Sequence, residues 1–154
     1  MNTEIYEYST DEKNLIYGFV STGNNGTVSK IILYEIRNYN HFNLAFGDYD
    51  EAKFELNDKS VTNNGDTIKV LGTVIETIKN FFQAYPHAIL DIRGSTPLRT
   101  KFYQKIIRDN LVKIETEFKV LAFKEDITKP EFPDFSQEYT SFQISKKHQY
   151  VAQR

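Results

Sequence analysis

The stretch DIRGSTPLRTKFY, residues 91–103, holds the side chains best suited to chemistry in this chain. A strand-like run ends at Arg93 and Gly94 breaks it. Pro97 then restarts the backbone as a helix, because a proline's fixed φ and missing N–H suit the first helical position. Helix starts present unpaired amides and a partial positive charge, so the junction has the attributes of an anion site. Gly94 permits close backbone approach, Ser95 and Thr96 supply hydroxyl donors, and Arg93, Arg99 and Lys101 add charge. Arg99 and Tyr103 are four apart and share a helix face. One reading is a pocket for phosphate, a nucleotide or an acidic side chain, built from Arg93, Gly94, Ser95, Thr96, Arg99 and Tyr103. The other is a capped helix, with Thr96 as the cap and Arg93 or Arg99 paired to Asp91.

A second junction, NNGDTIK, groups Asn63, Asn64, Asp66 and Lys69 where a strand gives way to a helix, the place at which open α/β sheets hold ligands. The same residues are those a turn demands, with Asp66 capping the helix that follows. In GDYDE, Asp48, Asp50 and Glu51 bring carboxylates together, but a calcium or magnesium loop needs more oxygens at fixed spacing. Tyr6, Tyr8, Tyr17, Tyr34, Tyr39 and Tyr49 would form a stacking platform for single-stranded nucleic acid if basic residues were interleaved, and few are. There is no cysteine, and His41, His87 and His148 lie far apart, so neither thiol chemistry nor a zinc site has a ligand set. No metal or cofactor is expected from the residues alone.

The charge balance narrows the partners further. The 154 residues carry a formal net charge of -2, which gives no global field for nucleic acid or an anionic membrane. No apolar run approaches the ~20 residues of a membrane span, and the first residues lack the layout of a signal peptide. The expected setting is cytoplasmic, and the absence of cysteine suits a reducing compartment. Exposed strand edges and tyrosines favour a homodimer or a protein partner, and a phosphate-bearing small molecule fits the basic junction. A partner-binding role such as one half of a toxin and antitoxin pair fits the size.

These residues must be positioned by a fold that alternation and periodicity outline. LIYGFVS and TVSKIILYEI flank TGNNG, whose Asn25 and Gly26 suit a hairpin turn. HFNLAFGD alternates as a strand with one buried face, and KFELNDKSVTN offers a weaker strand or two. From Asp66, Ile68, Leu71, Ile75, Ile78 and Phe82 recur at helical spacing. HAILDIR is a strand with Ala88, Leu90 and Ile92 on one face, so strand, helix and strand form a right-handed crossover between parallel neighbours. The second helix runs from Pro97 to near Glu117. FKVLAF and YTSFQISK close the sheet around a Pro-containing loop at 125–138, and residues 146–154 read as a frayed tail. The fold class is α/β (α+β) in one domain spanning 1–154. A mixed, mostly antiparallel sheet of about six to eight strands carries two helices in the order β-meander, α, β, α, β, β.

The motifs HFNLAFGDYDE, VTNNGDTIKVLGTV and RGSTPLRTKFYQKI together resemble a family of small Bacteroidota proteins known only as a domain of unknown function. That resemblance runs from about Tyr6 to Lys147 and implies no activity. The order of elements is also similar to that of GNAT-type N-acetyltransferases, with Ser95 and Tyr103 near positions where that family often has an Asn and a Tyr. This second resemblance implies acetyl-CoA or a nucleotide as the alternative cofactor, and an acyltransferase as the alternative function. The family's R/Q-x-x-G-x-G/A loop is absent. Gly65 lies at the turn and Gly72 inside the helix, and Asp66 is expected to compete for the amides that would hold a pyrophosphate.

Overall fold

The computed structural model describes residues 4–57, 64–94, 96–125 and 127–147. The first strands are β1 (Ser9–Thr10), β2 (Ile16–Gly23), β3 (Gly26–Asn38), β4 (His41–Asp50) and β5 (Glu55–Asn57). After α1 (Thr67–Ala84) come β6 (Ile89–Ile92), α2 (Pro97–Asp109) and α3 (Leu111–Glu115). The chain finishes with β7 (Phe118–Lys124), β8 (Ile127–Glu131) and β9 (Ser141–Lys146). Among the described residues these strands form one sheet in the order β1-β2-β3-β4-β6-β9-β7-β8, with β5 paired to β4 off that path. All the pairings are antiparallel except β4 with β6, which α1 connects as the crossover pattern predicts.

Alternation explains which face is covered. Tyr17, Ile32, Tyr34, Phe42, Leu44, Leu90, Ile92, Phe142 and Ile144 project to one side and are buried there with Val74, Phe81 and Phe82 of α1 and Ile106 and Ile107 of α2. A stack of rings, Tyr34 on Phe81 at 4.3 Å and Phe42 edge-on to Phe81 at 5.1 Å, fixes α1 against β3 and β4. The polar groups that enter this core are matched. The Tyr17 hydroxyl donates to Asn80 Oδ1 at 2.6 Å, and Tyr34 and Thr77 share a hydrogen bond at 2.9 Å. Burial pushes the Tyr17 phenol up to about 12. With Tyr17 and Tyr34 buried, the tyrosines do not form a common exposed platform.

Four details depart from the sequence reading. The second helix does not run unbroken to Glu117. It stops before Asn110, whose side chain donates to the Ile106 carbonyl at 2.9 Å, and α3 resumes at Leu111. An asparagine amide that bonds a carbonyl of the preceding turn competes with the helical ladder, which accounts for the break. The loop at 125–138 contains β8, and its Pro130 is tolerated because this strand lies at the sheet edge, where one side needs no ladder donor. A two-residue strand, β1, precedes the first expected one. Lys146 belongs to β9, and Lys147 donates its backbone N–H to the Glu117 carbonyl at 2.8 Å, so these two are not frayed. Residues 148–154, the rest of the expected tail, lie outside the described residues.

Candidate functional site

The parallel strands β4 and β6 pair from His41 with Ile89 to Leu44 with Ile92, and there β6 ends while β4 continues to Asp50. Beyond this fork, both α1 and α2 begin at the end of the sheet toward which β4 and β6 run: Asn64, before α1, bonds Ser21 and Gly26 of the β2–β3 hairpin, and α2 follows β6. Phe46 is the first inward residue of β4 past the fork, and the Arg99 guanidinium of the first α2 turn lies 5.7 Å from its ring centroid. Phe46 stacks on Phe19 at 6.4 Å, Phe19 stacks on Tyr6 at 5.6 Å, and the Lys69 ammonium of the first α1 turn stands 4.3 Å from the Tyr6 ring. A continuous ladder, cation, three rings, cation, thus spans the two helix starts. Neither helix has an acid in its first turn.

At the α2 start the local hydrogen bonds are dense. Thr96, extended at φ -134 and ψ 159, accepts the Arg99 N–H on its hydroxyl at 3.1 Å, as an N-cap should. Gly94 donates its N–H to Thr100 Oγ1 at 3.1 Å, and Thr100 donates its hydroxyl to the Thr96 carbonyl at 3.2 Å. A Cβ on Gly94 would stand 2.3 Å from the Thr100 nitrogen, so the close approach this glycine permits is to the helix itself. Arg93 is exposed, and Tyr103 is buried in the core at 4% exposure. Of the six residues grouped in the first candidate, Gly94, Thr96 and Arg99 meet at the junction. Tyr103 turns inward one helical turn on, and Ser95 lies outside the described residues.

The expected pairing of Arg93 or Arg99 with Asp91 does not form. Asp91 projects to the opposite face of the sheet from Phe46. There its Oδ2 is 2.6 Å from His41 Nε2 and its Oδ1 accepts from Gln143 Nε2 at 3.1 Å. For Arg99 period-two alternation decides this, since odd-numbered residues of β6 face away from the helices.

The second candidate resolves differently. Asp66 precedes α1, but its side chain makes no capping bond, and its φ of -121 with ψ of 27 is not the extended geometry of a side-chain N-cap. Its Oδ2 instead accepts hydroxyl protons from Tyr6 and Ser21, each at 2.5 Å. Burial pushes the Asp66 carboxyl up. The hydrogen bonds from Ser21 and Tyr6, with the nearby Lys30 charge, outweigh it and hold the group below the ordinary carboxylate range. The expected competition of this carboxylate for the first-turn amides is therefore not observed. Asn64, 3% exposed, donates to Ser21 Oγ and the Gly26 carbonyl, both at 3.0 Å, and accepts the Asn25 N–H at 2.6 Å. It pins the β2–β3 hairpin to the α1 start, while Asn63 lies outside the described residues.

Two further groups have plain partners. Asp48 forms an ion pair with Lys30, and Asp50 accepts the Ala52 and Lys53 N–H groups of the following turn at 3.0 and 3.2 Å. Every buried side-chain nitrogen and oxygen among the described residues has a hydrogen-bond partner. Among them no helix is long and apolar enough to cross a membrane. Between α1 and α2 lies a cleft of about 680 Å³, whose walls include Leu71, Ile75, Ile78, Ile92, Ile106 and Ile114.

The ladder escaped sequence reasoning because its members, residues 6, 19, 46, 69 and 99, come from four separate elements and the segment before β1. The one available signal was the first-turn position of Lys69 and Arg99. Compared with known proteins, residues 2–147 match a family of unknown function (DUF6934). No curated protein and no solved structure matches the chain.

Proposed function

Since the chain belongs to that family of unknown function, which lends it no activity, we propose from geometry alone that it is a small cytoplasmic binding or regulatory protein. It recognises a phosphate-bearing ligand or an acidic partner group at the fork between β4 and β6. The observation that supports this is the ladder joining Lys69 to Arg99, which presents two cations over two helix starts at one end of the sheet. Thr96 and the backbone at Gly94 fix the α2 turn that carries Arg99. The arrangement supplies electrostatic capture.

Titration with inorganic phosphate tests it. The amides of residues 67–70 and 96–100 should shift in NMR spectra, and Arg99→Ala with Lys69→Ala should weaken binding about tenfold, equivalent to about 1.4 kcal/mol. No amide shift and no thermal stabilisation up to saturating phosphate would sink the reading.

A second reading, a transferase that uses acetyl-CoA or a nucleotide on a GNAT-like scaffold, is favoured by one observation. The Asp66 carboxylate turns to Tyr6 and Ser21, so it does not occupy the α1 amides. Saturable binding of acetyl-CoA at micromolar concentration, with phosphate competing, would prefer this reading to the first.

A further inference from the structure

Residues 4–8, which form neither helix nor strand, bring Tyr6 to the start of α1. There Tyr6 meets two residues of opposite charge. The Lys69 ammonium stands 4.3 Å from its ring centroid, and its hydroxyl donates to Asp66 Oδ2 at 2.5 Å. We propose that Tyr6 is the positioning residue of the fork and that docking of residues 4–8 regulates anion capture there, a role that rests on the fork binding phosphate.

Lys69 is held from two directions. The Tyr6 ring attracts its ammonium, and a ring face leaves part of the ammonium's three donors for a ligand. The Tyr6 backbone N–H donates to Thr73 Oγ1 at 2.8 Å, and the Thr73 hydroxyl donates to the Lys69 carbonyl at 2.7 Å. Thr73 is fully buried, so this chain of bonds fixes the segment to the α1 turn that carries Lys69.

Asp66 is held away. A free carboxylate just before the helix would bond the first-turn amides and repel phosphate. Two hydroxyls, those of Tyr6 and Ser21, engage its Oδ2 instead. Ser21 belongs to β2, is fully buried, and is fixed by Asn64, whose side-chain amide donates to its Oγ at 3.0 Å. Of the two donors, only Tyr6 lies outside any helix or strand. When residues 4–8 leave, Lys69 loses its ring and Asp66 loses a donor together, and both changes oppose an anion. Linkage makes the effect mutual, because a bound anion tightens the docking of the segment by the same factor.

Titration of the full chain and its variants with inorganic phosphate tests this. Tyr6→Phe, which keeps the ring, should weaken binding about threefold. Tyr6→Leu, which loses ring and hydroxyl, should weaken it about tenfold. Thr73→Val alters neither charged residue nor the ring, yet should weaken binding about threefold by releasing the segment. Asp66→Asn added to Tyr6→Phe should recover most of the loss, and added to Tyr6→Leu only part of it; a merely structural defect would be recovered in neither. In wild type, saturating phosphate should slow hydrogen exchange at the Tyr6 amide. Should Tyr6→Leu fail to fold, Tyr6→Phe and Thr73→Val decide. Phosphate binding that these variants leave unchanged, or that Asp66→Asn does not recover, overturns this inference while the fork keeps its ligand. No binding by wild type overturns both.

Discussion

At the scale of single residues, Asp66 carries a pH dependence whose sign follows from its surroundings. Its carboxyl is held below the ordinary range by hydroxyl donors from Tyr6 and Ser21 and by Lys30, against a burial effect in the other direction. A carboxylate with a depressed folded pKa contributes stability that is present above the unfolded value of about 3.9 and lost as pH falls through the folded pKa. Asp66→Ala should therefore cost about 1–2 kcal/mol at pH 7 in urea unfolding. The gap between variant and wild type should close as pH drops below about 4. An equal gap at pH 7 and pH 2.5 would contradict this account. From sequence, Asp66 was recognisable as a residue at a helix start. Its role was not, because the hydroxyls that claim it arrive from 60 and 45 residues away.

The element scale shows where local pattern suffices. Thr96 and Pro97 form the start of α2 as their types require, and the cap is present with the expected donor, Arg99. The strand before it is tied to the same turn through Gly94 and Thr100. Gly94→Ala must displace backbone, since the added carbon would stand 2.3 Å from the Thr100 nitrogen and 2.6 Å from the Arg99 carbonyl carbon. Its expected cost is about 1–3 kcal/mol, read as a lower melting temperature. Thr96→Ala should cost only about 1 kcal/mol. If the two substitutions cost the same, the close packing of Gly94 on α2 is not what holds this junction. The long helices, the β2–β3 hairpin and the alternation of β4 and β6 were legible because each depends on neighbours within a few residues. β8 was not, because its proline reads as a loop signal until the strand is known to lie at an edge. The end of α2 was missed for a related reason: Asn110 acts through a side-chain bond to Ile106 that periodicity does not encode.

For the whole molecule, strand order matters more than strand count. The fold class and the parallel crossover were readable, but the position of β9 between β6 and β7 was not, since no local feature of YTSFQISK distinguishes a central strand from an edge. That placement also decides the uncovered face, because Gln143 joins Asp91 and His41 only when β9 lies beside β6. The fork and the His41, Asp91 and Gln143 set therefore depend on the same topology while facing opposite directions. The fork and its cations occupy the helix side, and the His41, Asp91 and Gln143 set lies on the face behind.

The central place of β9 has a consequence for synthesis. As the chain leaves the ribosome, β1 to β6 form one growing sheet fragment, and β7 with β8 forms a separate hairpin that has no strand to join. Both fragments keep an open edge until the last strand appears, so folding ends with an insertion and not with an addition. These contacts span long sequence separations, which slows their formation. A nascent chain cut before Ser141 should be captured readily by holdase chaperones, and a peptide of residues 138–147 supplied in trans should release it. The final strand acts as the keystone that turns two half-sheets into one.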